Sequence, residues 1–359
     1  MSDKNDESSR GERSMGPWYW TQHPSIYEHI LAHVKAGDEG LTEGGETLPD
    51  QAREGAGAMF QWAPGAQDGV TTHHRALPAP QEEAEAVAAV IRRFCGKPVA
   101  ENRQLVHDTV LGRQVAVLVD ALLRALITAG THADRIHDLG KSLVTQSPDR
   151  EPVKLGIALL GILRSQFERS ILMTLGRHDE FTLFSAAALS NDPDVPMADR
   201  WELAKQVHGW GRVQAVKWLG KPEVPDIKDW LLREGYRNTV MIEYLAYTCA
   251  VNGDLRGALA QDVVDDGLLA SAGDLIKTLI LSTAAKGMDS YSDGAEVMES
   301  YLRHLTRRLP RDRQYQVVHV MERWLIDRHM PWEQLARYGW SHQRGESLLM
   351  QCAEVLAFE

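Results

Sequence analysis

The chain reads as all-α: an irregular α-solenoid of helical hairpins behind a long N-terminal loop segment. Three observations predict this. Apolar residues recur at helical spacing from Gln81 onward, which is the signature of amphipathic helices. No credible alternating strand pattern occurs anywhere in the 359 residues. Helix pairs follow one another at a near-regular interval through the centre of the chain, as stacked repeats do.

Residues 1–16 are polar, with almost no core-forming side chains, and are expected to be a disordered tail. Residues 17–80 form the second segment. It opens on the aromatic cluster Trp18-Tyr19-Trp20, and Pro24 then starts a short helix with Ile26, Ile30, Leu31 and Val34 on one stripe, stopped by Gly37. From Gly37 to Pro80 no period persists. Gly40 to Gly57 is expected to be disordered. Ala58 to Gly65 carries Phe60 and Trp62 as apolar anchors and is expected to dock as a loop onto the helical body. Residues 81–150 form N-terminal helices: Gln81–Phe94, ended by Cys95-Gly96, and Gln114–Ile127, whose near-continuous apolar stripe ends at Gly130.

Residues 151–310 hold the repeats. Five Ala-rich apolar helices begin near Pro152, Asp179, Gly211, Asn238 and Gly273, so that successive starts differ by 27, 32, 27 and 35 residues. A second helix follows each, over 166–175, 198–207, 226–233, 256–264 and 293–308. Small residues on the first helix permit close helix approach. Residues 311–359 are expected to be capping helices. The run Gly211-Arg212-Val213-Gln214-Ala215-Val216-Lys217-Trp218-Leu219 resembles the helix cadence of HEAT-like and armadillo-like repeats. That resemblance covers about residues 150–310 and implies a scaffold for other macromolecules. One group with this architecture, the alkylpurine DNA glycosylases, clasps a damaged nucleotide with Trp and Asp. In this sequence Glu202 follows Trp201 where an Asp-bearing motif is wanted.

The formal charge of −11, from 39 basic and 50 acidic residues, disfavours a surface that embraces nucleic acid throughout. The charge is polarised: residues 1–80 carry six basic and twelve acidic side chains, whereas residues 301–344 carry nine Arg and four acids. Apolar runs fall short of the ~20 residues of a membrane span, and the polar, acidic start is unlike a secretory leader. Cys95, Cys249 and Cys352 lie far apart without a CxxC pair, as reduced thiols in a cytoplasmic protein do. No phosphate-binding loop, dinucleotide glycine motif, nucleophile elbow or HExxH helix is present.

Three groups carry candidate chemistry. Asp68, His73 and His74 lie close in the loop segment, and carboxylate and imidazole suit zinc or iron. His137-Asp138-Leu139-Gly140-Lys141 resembles the signature of HD-domain phosphohydrolases. That likeness implies a metal site completed by an upstream His, here His107, and a later Asp such as Asp179, Asp192 or Asp194, with metal-activated water as the nucleophile. Trp201, Trp210, Arg212, Arg233, Tyr236 and Arg237 fall on or beside successive repeat helices, and these residue types stack bases or anchor protein interfaces. A fourth, basic cluster (Arg303, Arg307, Arg308, Arg311 and Arg313, near Trp324, Trp332 and Trp340) can meet an anion or the acidic N-terminal region. The leading expectation is a non-catalytic scaffold without cofactor that binds another protein through one repeat face, with no membrane partner. The alternatives are a metal-dependent hydrolase using a divalent ion at either His/Asp group, and a nucleic-acid or DNA-repair protein.

Overall fold

A computed structural model describes residues 23–37, 40–51, 62–74, 80–163, 168–308, 310–327 and 332–358. The tail 1–16, the cluster Trp18-Tyr19-Trp20 and Phe60 lie outside the described residues. Among the described residues the regular elements are helices, and the β feature is an isolated bridge between Val34 and Leu41. No described helix is long and apolar enough to cross a membrane.

The first half contains α1 (Ile26–Ala32), α2 (Ala66–His74), α3 (Gln81–Gly96), α4 (Ala100–Val110), α5 (Val115–Thr128), α6 (Ala133–Gln146), α7 (Arg150–Leu163), α8 (Arg169–Gly176) and α9 (Asp179–Asn191). The second contains α10 (Met197–Gln206), α11 (Trp210–Leu219), α12 (Pro225–Trp230), α13 (Glu243–Asn252), α14 (Leu255–Leu259), α15 (Asp266–Leu281), α16 (Gly294–Thr306), α17 (Asp312–Leu325), α18 (Trp332–Leu335) and α19 (His342–Leu356). A five-residue π-helical turn, Leu231–Gly235, extends α12.

From α3 onward, alternate helices pack against one another: α3 on α5, then α7, α9, α11, α13, α15, α17 and α19 in sequence. The even-numbered helices connect these rungs. Helices occur at each of the five expected places with shifted bounds: the one expected from Asn238 begins at Glu243, and the one expected over 256–264 is the short Leu255–Leu259. The α15 helix begins at Asp266, seven residues before the expected Gly273 start, because Asp265 caps it by accepting the Leu268 N–H (2.9 Å). The alternation also runs beyond residues 151–310 at both ends, since α3 and α5 precede it and α17 and α19 follow it.

Close approach between rungs uses small residues. A Cβ at Gly156 on α7 would come within 2.8 Å of a Val144 methyl and 2.9 Å of the Gly140 carbonyl on α6. Buried apolar side chains fall into two clusters, one running from Ile26 to Leu203 and the other from Ala204 to Val355 with Ala66 of α2 added. The α9–α11 contact carries the row across that boundary.

Two expectations for the N-terminal segment are corrected. Residues 40–51 are packed onto the helices: Leu48 is buried, Asp50 pairs with Arg150 at 2.8 Å, and the Glu46 carbonyl lies 3.2 Å from the His178 ring Nε2. Besides Leu48 and the half-buried Leu41, the segment is held by polar bonds that a hydropathy pattern does not reveal. Part of the stretch expected to be loop is helical, since residues 66–74 form α2. Trp62 is exposed, and the chain instead turns at Gly65 into the helix α2.

The Gly156 contact yields a stability prediction. Gly156→Val is expected to destabilise by about 1–3 kcal/mol through overpacking of the α6–α7 contact, read as a lowered urea midpoint at unchanged m-value. Gly96→Ala, where a Cβ meets nothing within 4 Å, serves as the neutral control.

Candidate functional site

The α2 helix lies across the face made by the alternate helices, against α5 on one side and α11 on the other. Its sequence is only weakly amphipathic, so tertiary contacts hold it as a helix. Gly65, at φ +70°, and Gly69 one turn later admit the approach. A Cβ at Gly65 would collide with the Asp179 carbonyl, and one at Gly69 with the Trp210 ring. Gln114 supports the same helix by donating to Asp68 Oδ1 and Thr71 Oγ1, each at 3.0 Å.

Beneath α2 sits a buried charge cluster. The Lys154 ammonium, 1% exposed, lies 2.7 Å from each of three carboxylates: Asp68 on α2, Glu151 on α7 and Glu180 on α9. An ammonium has three N–H donors, and here each has a carboxylate. The acids use their remaining oxygens on other elements. Glu180 accepts the Gly65 N–H (2.7 Å), and Glu151 accepts the Val115 N–H that opens α5 (2.7 Å). Burial opposes the charge on Lys154, but the three carboxylates win and hold its pKa well above the usual lysine value. Burial likewise opposes ionisation of Glu180, yet Lys154 and the Gly65 N–H bring it down to about 2. Burial prevails at Glu151, whose pKa is raised. An ammonium so fixed has no lone pair to offer, so the cluster is a clamp and not a reactive amine.

The neighbouring side chains extend the clamp. The His178 ring accepts the Glu180 N–H at Nδ1 (3.2 Å) and directs Nε2 to the Glu46 carbonyl. Burial lowers its pKa, which keeps the imidazole neutral. Asp179 receives the backbone N–H groups of Gly209 and Gly211 at the N-terminus of α11, and burial pushes its pKa up to about 7. Both glycines are required there, because a Cβ at either would strike the Asp179 carboxylate.

Two recesses flank α2. One, of about 390 Å³, is apolar and is lined by Val119, Leu123, Ala158, Leu183 and Trp218, with Thr72 of α2 at its edge. The other, of about 350 Å³, is aromatic and charged, with His73, Lys217, Tyr244, Tyr247 and Lys286 around it together with Glu243, whose carboxylate accepts the Thr283 and Ala284 N–H groups. The His73 ring stands edge-on to Trp210 and Tyr244 (5.6 and 5.5 Å), and its Nε2 contacts the Lys217 ammonium. Desolvation lowers the Lys217 pKa. Lys286 lies 5.1 Å over the Tyr247 ring.

The residues singled out in the sequence are distributed differently. Asp68 and His73 do not converge: five residues apart on a helix, they point about 140° apart, one to Lys154 and the other to Lys217. The His74 side chain lies outside the described residues. His107 pairs with Asp149 (3.1 Å) and His137 with Glu168 (3.1 Å), while Asp138 is exposed beside Arg135. Among the described residues no three His, Cys, Asp or Glu side chains could together hold a metal ion. Asp68 is engaged by Lys154 and is aimed away from His73, so these two side chains do not form a shared ligand set.

Nor do the six aromatic and Arg residues form one accessible face. Trp210, Arg212 and Tyr236 are buried. Arg212 donates to the carbonyls of Val207 (2.7 Å), Glu234 and Lys205 (both 3.3 Å) and lies 5.3 Å over the Trp230 ring, joining α11 to α12. Trp201 lies against Trp230 and Lys205, Arg233 is bidentate with Asp265, and Arg237 pairs with Asp274. Of the residues that build the site, Asp68 and Asp179 stand among the sequence candidates for a metal, His178 and Glu180 show only as neighbours of Asp179 at a helix start, and Lys154 and Glu151 carry no signal. No family model, curated protein or solved structure matches the chain.

Two outcomes follow from the clamp. Lys154→Met leaves three carboxylates buried without their cation and is expected to cost about 3–5 kcal/mol, measured by urea unfolding. Asp179 has a usual pKa of 3.8 and is raised to about 7. Between about pH 4 and pH 7 the native state therefore holds a proton that the unfolded chain releases, and this group's contribution to stability falls as pH rises. Neutral His178 acts in the opposite sense below its usual 6.5, so the readout is a difference. The stability of wild type minus that of Asp179→Asn is expected to be larger at pH 5 than at pH 8.

Proposed function

We propose that the chain is a non-catalytic helical-repeat scaffold of solenoid type, which binds a protein segment along the face made by the alternate helices, on both sides of α2. The observation that carries this reading is α2 itself. That face already holds a short helix of the same chain, with small residues against Trp210 and an acid on Lys154, and recesses lie on either side of it. The continuous rung-on-rung packing supports the solenoid.

The chemistry of the recesses sets the partner class. The first takes an aliphatic or aromatic side chain against Leu123, Leu183 and Trp218. The second takes a carboxylate against Lys217 and Lys286 beside Tyr244, since the two ammonium groups outnumber the one carboxylate in its lining, Glu243. A segment with an apolar anchor and a nearby acid matches both, in the helix-in-groove manner. Trp218, 39% exposed, is the anchor of the apolar side, and Trp is favoured at such hot spots.

Selection from a displayed peptide library on the full chain tests this. Enrichment of acidic peptides with a large apolar residue is expected, and Trp218→Ala or Lys286→Glu is expected to weaken the selected peptides at least tenfold at unchanged melting temperature. No enrichment, or enriched peptides indifferent to both substitutions, would overturn the reading.

A further inference from the structure

A second cleft lies away from α2, where α15, α16 and α17 meet. Its volume is about 780 Å³, within the range of small-molecule sites. Its rim carries Arg237, Arg308, Arg311 and Arg313 against Asp266, Asp274 and Asp312. The guanidinium groups exceed their partners: Arg308 (3.1 Å) and Arg311 (2.7 Å) share the single carboxylate of Asp266. Arg313 makes no ion pair among the described residues.

The floor holds Tyr301, fully buried on α16, whose hydroxyl has no hydrogen-bond partner. A buried polar group left unsatisfied costs free energy and calls for an explanation. Gly273 on α15 sits directly over it, where a Cβ would come within 2.6 Å of the phenol oxygen. Gly273 and Tyr301 both line the cleft, so a glycine and not a side chain separates the phenol oxygen from it. Burial raises the Tyr301 pKa, so the group stays a neutral O–H donor.

We propose that this cleft binds a small hydroxylated phosphomonoester of sugar-phosphate size. The surplus arginines at the rim receive the phosphate dianion, since guanidinium matches it in charge and geometry. Asp266, Asp274 and Asp312 accept the ligand hydroxyls, and the Tyr301 hydroxyl donates to it from below. Interleaved acids repel a continuous polyanion, which disfavours a nucleic-acid backbone. Tyr301 lies below the surface as the aromatic ring of the lining, so no stacking platform for a base is offered.

Isothermal titration of the full chain with ribose 5-phosphate, ribose and inorganic phosphate tests the proposal. Ribose 5-phosphate is expected to bind at least tenfold more tightly than either fragment. Arg313→Ala and Tyr301→Phe are each expected to weaken it at least fivefold. Without ligand, Tyr301→Phe is expected to melt at or above the wild-type temperature, because it removes an unsatisfied hydroxyl; a binding loss therefore cannot come from unfolding. Absence of binding, equal binding of inorganic phosphate alone, or binding untouched by Tyr301→Phe would overturn the proposal. Salt-sensitive binding of single-stranded DNA or of an acidic peptide at the same residues, in place of the sugar phosphate, would overturn it too.

Discussion

Lys154 is the point on which the arrangement turns. Its ammonium is out of water, and an isolated buried charge is not sustainable. It persists because three elements each deliver a carboxylate at 2.7 Å: α2 through Asp68, α7 through Glu151 and α9 through Glu180. The geometry is therefore collective. Lose α2 and the ammonium loses one acid, while Gly65 no longer donates to Glu180. Because α2 also contributes Ala66 to the C-terminal cluster of apolar side chains while Asp68 reaches into α7, the clamp joins the two halves of the row. A surface helix of nine residues thereby becomes part of the architecture.

The triplet His178-Asp179-Glu180 shows how one helix start organises several neighbours. Consecutive residues at a helix N-terminus point in different directions, and each meets a different element. His178 reaches the segment 40–51, Asp179 caps α11, and Glu180 reaches Lys154 and α2. The opposite pKa displacements of Asp179 and Glu180 follow from this. At Asp179 burial, helped by the Glu46 charge, outweighs the backbone N–H groups and the Arg212 guanidinium. Glu180 faces an ammonium, so attraction prevails.

The long helices were legible because their cause is local. Ala84, Val87, Ala88, Ile91 and Phe94 on α3, and Leu118, Ala121, Leu122 and Leu126 on α5, are buried on the stripes that the periodicity predicts. The α2 helix was not legible, because Gly69 and its two Thr give no strong helical signal, and what makes it a helix is a face assembled from residues 43 to 144 positions away. The candidate site suffered for a different reason. Trp and Arg are favoured at exposed hot spots and also in buried helix contacts. Residue type alone thus could not say that Trp210 and Arg212 close the interior while Trp218, eight residues on, opens to solvent. Likewise, Asp68 and His73 suggested ligands, but the helix aims them at different cations.

The charge polarity of the chain also acquires a cause. The acidic N-terminal region and the Arg-rich end invite a picture in which one neutralises the other. Among the described residues the pairings join neighbouring elements instead. Asp50 and Asp68 are met by Arg150 and Lys154 of α7, whereas Arg308 and Arg311 turn to Asp266, and Arg344 to Glu299 at 2.7 Å. At the front, acids outnumber the cation within the clamp, and burial answers by raising the pKa of Glu151. At the back the excess is of guanidinium, which does not give up its proton. An acid can meet a local surplus by binding a proton, but an arginine cannot. The surplus at the α15–α17 cleft is therefore permanent across the physiological range, and it is answered by solvent ions or by an anion shaped to the site.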